Sequence, residues 1–454
     1  MIFYGVGYSL LSTSKFGSSW LGIFTVVNAF IHFGVAKLIQ TKKSSDKNLF
    51  YLVIGLVLVF LTMAIPVQLD GGFVTIMWMG MAALLFWIGR TKSVPFYEYI
   101  SYGLILIASF SLAQDWEAGY RTVRYGSTGF KITPIINSIF LTSLISIIST
   151  GFINWMARKP EHLENSKVNL ELMKITKIAL PILFLGILYF TFFKDIQYYF
   201  DQYFEDSTKE VPKSGESRLN IIKNYSISSL RNIWLIVYSM FFMSGILLFI
   251  SRKTKNRIIH KIVILSSLVL IFIFLTGGLF DISELRKAYI DQTNADYYNI
   301  GTYYLWIRYL SIAVFSGLCL MTYKFANRHT NTRLLKICID VTLASILLWL
   351  LSSELIHWLD FSESRNEYGL GLSILWGIYS ASIIAFGMWK HKKHLRLLGI
   401  AIFALTIVKL FLYDLASLST ISKTIVLVAL GILLLGTSFL YNKYTIDDNT
   451  DEEY

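Results

Sequence analysis

The chain alternates long apolar windows with short polar ones along nearly its whole length. A window of about 20 apolar residues crosses a hydrocarbon core of about 30 Å as a helix, and in lipid a helix satisfies its own backbone hydrogen bonds. Read this way, the pattern predicts about thirteen spans. They run Trp20 to Ile39, Leu49 to Val67, Phe73 to Ile88, Tyr97 to Ala113, Pro134 to Met156 and Ile175 to Phe193. Then follow Leu230 to Ile250, Ile262 to Phe280, Tyr303 to Tyr323, Ile337 to Leu355, Leu370 to Trp389, Leu397 to Tyr413 and Thr424 to Tyr441. The opening run, Ile2 to Leu11, is too short to cross and reads as half a helix or an interfacial piece. The expected fold is all-α, a polytopic transmembrane helix bundle arranged as helical hairpins.

Charge gives the windows a direction. Basic clusters follow every second span, as at Lys37, Lys42, Lys43 and Lys47, at Arg252 to Lys261, at Lys324 to Lys336, and at Lys390 to Arg396. The intervening spans end at Asp70, Asp115, Asp195, Asp281, Asp360 and Asp414. Because loops on the cytoplasmic side are enriched in Lys and Arg, the basic ends are expected inside, and the acidic tail 445–454 with them. Two hairpins resemble each other. Thr75 to Arg90, TIMWMGMAALLFWIGR, and Ser373 to Lys390, SILWGIYSASIIAFGMWK, place Trp78 against Trp376, an internal repeat or a convergence of bilayer composition.

Composition agrees with a membrane protein. The 454 residues are 55% hydrophobic and only 15% charged, against about 25% charged in soluble domains. The net charge of +12 is spread over inter-helix loops rather than along one face, so it is a topology signal and not a nucleic-acid footprint. The lipid bilayer is the partner the sequence implies. Cys319 and Cys338 both sit in apolar segments, so no disulfide framework is expected. The first positive charge is Lys15, which argues against a cleaved signal peptide. The longest expected extramembrane stretch, 194–229, is about 36 residues, too short for a core of its own, so the chain is read as one integral membrane domain over 1–454.

Ionisable groups inside spans are costly and therefore candidate functional groups. Lys409 lies about a turn from the outer end of its helix, where it either snorkels to the interface, pairs with an acid such as Glu354, or contacts an anionic substrate. Glu354 and His357, three residues apart, share a helix face and suit acid–base work or a metal, though rim solvation explains them as well. Asp281 and Asp414 complete the candidate set. Asp340 is expected to pair with Lys336 one turn away, His32 to bond a neighbouring helix, and Arg308 to anchor at the interface. Patterns for a metal, nucleophile or nucleotide (HExxH, GxSxG, a Walker loop, GxGxxG) do not occur, so no cofactor is expected.

The segment His394 to Tyr444, containing KLFLYDL at Lys409 to Leu415, resembles the C-terminal signature of a bacterial family of predicted multi-pass membrane proteins, a domain of unknown function. AIPVQLDGG (Ala64 to Gly72), DISELRKAY (Asp281 to Tyr289), SSELIHW (Ser352 to Trp358) and SILWGIY (Ser373 to Tyr379) are similar to its segments in the same order. The resemblance implies a bacterial inner membrane and touches Glu354, His357, Trp376, Lys409 and Asp414. Met81 stands where many members carry glutamate, and members tend to be longer, which suggests a short member or a fragment. The expected role is transporter-like or scaffolding. The rival is an envelope enzyme acting on a lipid-linked or periplasmic substrate with Glu354, His357, Asp281 and Asp414 gathered in one outward cavity.

Overall fold

In the computed structural model the apolar windows are helices, as a solvent without hydrogen-bonding capacity requires. The structure describes residues 2–14, 17–41, 47–124, 133–159, 169–212, 219–253, 256–292, 295–329, 333–362 and 368–414, with isolated positions between 424 and 435. The helices are α1 (Ile2–Ser12), α2 (Leu21–Thr41), α3 (Lys47–Gln68), α4 (Gly72–Thr91), α5 (Pro95–Arg124), α6 (Ser138–Ala157) and α7 (Leu170–Asp206). After them come α8 (Ser226–Lys253), α9 (Arg257–Ile273), α10 (Leu279–Asp291), α11 (Tyr303–His329), α12 (Arg333–Phe361), α13 (Tyr368–Trp389) and α14 (Lys393–Lys409). A π-helical turn, Phe274–Gly278, joins α9 and α10 into one span, and another, Leu410–Asp414, continues α14.

Among the described residues, twelve helical stretches are long and apolar enough to cross a membrane, and they coincide with the first twelve spans read from the sequence. α1 is short, as the opening run requires. The thirteenth expected span, Thr424 to Tyr441, falls mostly outside the described residues, and the tail 445–454 wholly so. The bundle is apolar outside as well as inside. Phe30, Phe110, Phe241 and Leu405 are 62% to 71% exposed, which suits lipid and not water. Small residues such as Ala82, Ala108, Ser380 and Thr406 are fully buried, letting helices approach closely. Asparagine caps start three helices by accepting a backbone N–H, Asn137 from Phe140, Asn169 from Glu171 and Asn256 from Ile258.

Several helices outrun their windows, because polar residues at a helix end continue the backbone ladder even where they leave the apolar count. The clearest case is the stretch 194–229. Its first part, with Tyr198, Tyr199, Phe200, Tyr203 and Phe204, belongs to α7, and beyond it β1 (Lys209–Pro212) pairs antiparallel with β2 (Leu219–Ile222). The stretch is therefore not one long loop. Pro134, expected to open a span, instead lies in a turn before α6.

Contacts gather the chain into two compact units, Met1–Ser207 and Thr208–Tyr454. The resemblance between Thr75–Arg90 and Ser373–Lys390 holds in three dimensions within them. In the first unit α4 packs on α5, and in the second α13 packs on α14, with equivalent residues in register. A Cβ on Gly89 would stand 2.9 Å from the backbone nitrogen of Glu98, and one on Gly387 would stand 2.9 Å from that of Arg396. The turns carry a positive φ at the same place, 53° at Ser93 and 51° at His391. Ala82 and Ser380 match as fully buried, as do Ala108 and Thr406. Further along, Thr75 Oγ1 lies 2.7 Å from Ser111 Oγ, and at the equivalent pair Lys409 Nζ donates to Ser373 Oγ at 2.8 Å.

Candidate functional site

Four charged side chains of the second unit, Arg286, Arg308, Glu354 and Asp360, gather where α10, α11 and α12 meet. Arg308, on the first turns of α11, is turned inward with a side chain only 1% exposed. Its Nε and Nη2 both lie 2.9 Å from Glu354 Oε1 on α12, and Nη2 also donates to Ser353 Oγ at 3.1 Å. Arg308 is thus no interfacial anchor. One turn on from Glu354, His357 is buried, its ring edge-on to Tyr309 of α11 and to Phe361. A second ion pair completes the group. Arg286 Nε of α10 lies 2.5 Å from Asp360 Oδ2, both side chains under 9% exposed, and Arg286 Nη2 donates to Ser283 Oγ.

Two nitrogens in this cluster are left over. Arg308 Nη1 and His357 Nδ1 are both buried without a hydrogen-bond partner among the described residues, and His357 lies within electrostatic reach of Arg308 and Arg286. A buried N–H without a partner costs about 1–3 kcal/mol, and more for a charged group. Glu354 and His357 lie one turn apart on α12, as their spacing predicts, Glu354 paired with Arg308 at 28% exposure and His357 buried against aromatic rings. Arg308 sits near the start of its span, where an arginine reads as an interfacial anchor, and Arg286 lies past the end of its apolar window, where the sequence did not single it out.

The other sequence candidates lie elsewhere. Asp281 on α10 turns to α8 and accepts a long bond from Asn232 Nδ2 at 3.4 Å. Lys409 neither pairs with Glu354 nor points only outward, since its ammonium donates to Gly369 O and Ser373 Oγ on the first turns of α13, each at 2.8 Å. Asp414 ends the π-helical turn after α14, and its side chain is outside the described residues. The four groups that the enzyme reading requires in one cavity are thus not brought together by any described contact.

Two further expectations are corrected. Asp340 is held by Lys392 Nζ at 2.6 Å and His394 Nε2 at 3.0 Å, across from α12, rather than by Lys336. His32 bonds the carbonyl of Asn28 on its own helix, with its ring against Phe60. The first unit also holds a buried ion pair that the sequence did not single out. Arg90 Nη2 meets Glu98 Oε1 at 2.7 Å, the side chains 3% and 1% exposed, and Tyr102 Oη donates to the same oxygen at 2.6 Å. Because both charges flank the α4–α5 turn, they counted as loop charges. Among the described residues no group of three or more His, Cys, Asp or Glu can hold a metal ion.

Comparison with curated proteins and with solved structures finds no match for the chain. One family model does match, over residues 1–444, and its description is "Predicted membrane protein (DUF2339)". The membrane-length helices agree with that description, and with nearly its whole length matched the chain belongs to this family of predicted membrane proteins.

Proposed function

We propose that the protein is transporter-like, admitting a polar solute at the charged cluster where α10, α11 and α12 meet. The observation that carries this reading is a fully buried arginine with Nη1 unspent and, in the same cluster, a buried histidine with Nδ1 unspent. Charges inside a bilayer protein are expensive and mark ligand or ion paths more often than framework. The enzyme reading has less support, since Asp281 is turned to Asn232 on another helix.

The bacterial cytoplasmic membrane is the proposed location, with the C-terminus inside. That orientation rests on the Lys and Arg of alternate loops. Periplasmic cysteine labelling is expected at positions 215 and 363 and not at 255 or 392, and the reverse pattern would invert the topology. The functional test is flux. Purified full-length protein in sealed liposomes is expected to move a small polar solute faster than empty liposomes do, and an Arg308→Met variant to abolish the difference. Equal leakage with and without protein, across a panel of anionic, cationic and neutral solutes, would remove the transport reading.

A further inference from the structure

We propose that Arg308 and His357 bind an oxyanion of the phosphate type through Arg308 Nη1 and His357 Nδ1. The inference rests on reading the cluster as a ligand site, and it does not require transport. The donor set selects the chemistry. Every guanidinium nitrogen is a donor, and an imidazole nitrogen in its N–H form is another, so the partner that satisfies both presents oxygen acceptors. A cation is disfavoured, because the guanidinium groups of Arg308 and Arg286 both lie within electrostatic reach of His357. The carboxylates do not reverse this preference, since Glu354 is held by Arg308 and Asp360 by Arg286.

The geometry also discriminates among anions. A carboxylate prefers the planar fork of two neighbouring guanidinium N–H groups. On Arg308 the Nε and Nη2 edge is already taken by Glu354. What remains is Nη1 with its two N–H groups from α11 and one nitrogen from α12, on separate side chains. A tetrahedral oxyanion, whose oxygens point in several directions, uses such divided donors better than a flat carboxylate does.

Phosphate oxygens can come from two sources here. Trp306 on α11 and Trp358 on α12 are 69% and 62% exposed, and exposed tryptophans favour the headgroup depth of a bilayer. A lipid phosphate and a phosphate-bearing solute share the chemistry, so the test has an arm for each. Full-length protein purified without phosphate is titrated with radiolabelled inorganic phosphate by equilibrium dialysis. In parallel it is placed in nanodiscs of phosphatidylcholine alone or mixed with phosphatidic acid, and the retained lipid is counted by native mass spectrometry.

Saturable one-to-one binding is expected in at least one arm, and the arm that binds names the source. His357→Phe removes the nitrogen without leaving a charge behind and is expected to weaken binding about tenfold or more. Arg308→Lys keeps the charge for Glu354 but deletes Nη1, and is expected to do the same; it stands in if His357→Phe does not accumulate. No binding in either arm, or wild-type binding in both variants, would overturn the proposal. Flux without phosphate binding would also overturn it while leaving transport standing. Binding without flux would uphold it and remove transport instead.

Discussion

Replacing Arg90 by methionine tests whether the buried pair on the α4–α5 hairpin behaves as physical chemistry requires. The side chains of Arg90 and Glu98 are 3% and 1% exposed, so solvent screening offers almost no discount. Removing one member of a buried pair leaves an uncompensated charge and costs about 3–5 kcal/mol. Tyr102 still donates to Glu98 Oε1 at 2.6 Å. A bond to a charged acceptor retains about 1.5–3 kcal/mol, so the loss is expected at the lower end, about 3 kcal/mol. That is roughly a hundredfold in the unfolding equilibrium. Replacing both partners, as Arg90→Met with Glu98→Leu, removes charge and counter-charge together and is expected to restore wild-type stability or exceed it. Methionine has a precedent at this position, since Met388 occupies the equivalent place on α13. The assay is an unfolding titration with dodecyl sulfate in mixed micelles, read by tryptophan fluorescence, on the wild type, both single variants and the double variant. A single Arg90→Met that costs less than about 1 kcal/mol, or a double variant as unstable as the single, would refute the reasoning.

Two further outcomes are expected. Gly89→Ala and Gly387→Ala each push a Cβ to 2.9 Å from a backbone nitrogen and should lower stability by about 1–3 kcal/mol; Gly80→Ala, with nothing within 4 Å of its Cβ, should be neutral or gain up to about 1 kcal/mol, all read as shifts in thermal midpoint. Asp195→Ala removes the acceptor of Ile135 N at 3.0 Å and Asn137 Nδ2 at 3.2 Å, which hold a turn where Ile135 keeps a φ of 66°; limited proteolysis should then cut near 133–137 faster than in the wild type.

The spans were legible because the bilayer imposes a length on each and leaves the backbone one solution, so local composition suffices. The hairpin resemblance was legible too, through a single tryptophan match, although the stronger signals are Gly89 and Gly387, whose meaning depends on what lies opposite. Side-chain partners were not legible, because a window says nothing about which helices touch. Asp340 shows the difference: Lys336 is one turn away in sequence, yet its partners are Lys392 and His394, more than fifty residues on. Arg308 shows the second limit, since an arginine near a helix end looks the same from sequence whether it faces lipid headgroups or the bundle. The extension of α7 through Tyr198 and Phe200 was hidden by its aromatic and acidic residues, which a helix accepts and an apolar window does not.

The repeated hairpins and the charged cluster lie on different helices. What α4–α5 and α13–α14 share is framework: the glycine that lets two backbones meet, the turn with its positive φ, the fully buried small residues. The cluster of Arg286, Arg308, Glu354, His357 and Asp360 lies on α10, α11 and α12, outside either copy. Lys409 is one place where the copies diverge, because Ser111 holds the equivalent position and lies 2.7 Å from Thr75 as a neutral hydroxyl pair. If the copies share a framework, the second should accept the first copy's chemistry there. Lys409→Ser would keep a hydroxyl opposite Ser373 and lose the bond to Gly369 O, whereas Lys409→Met removes the donor from both. Stability should then fall in the order wild type, Lys409→Ser, Lys409→Met, with steps of about 0.5–1.5 kcal/mol. A methionine variant as stable as the serine variant would mean that position 409 answers to its own surroundings and not to the shared frame.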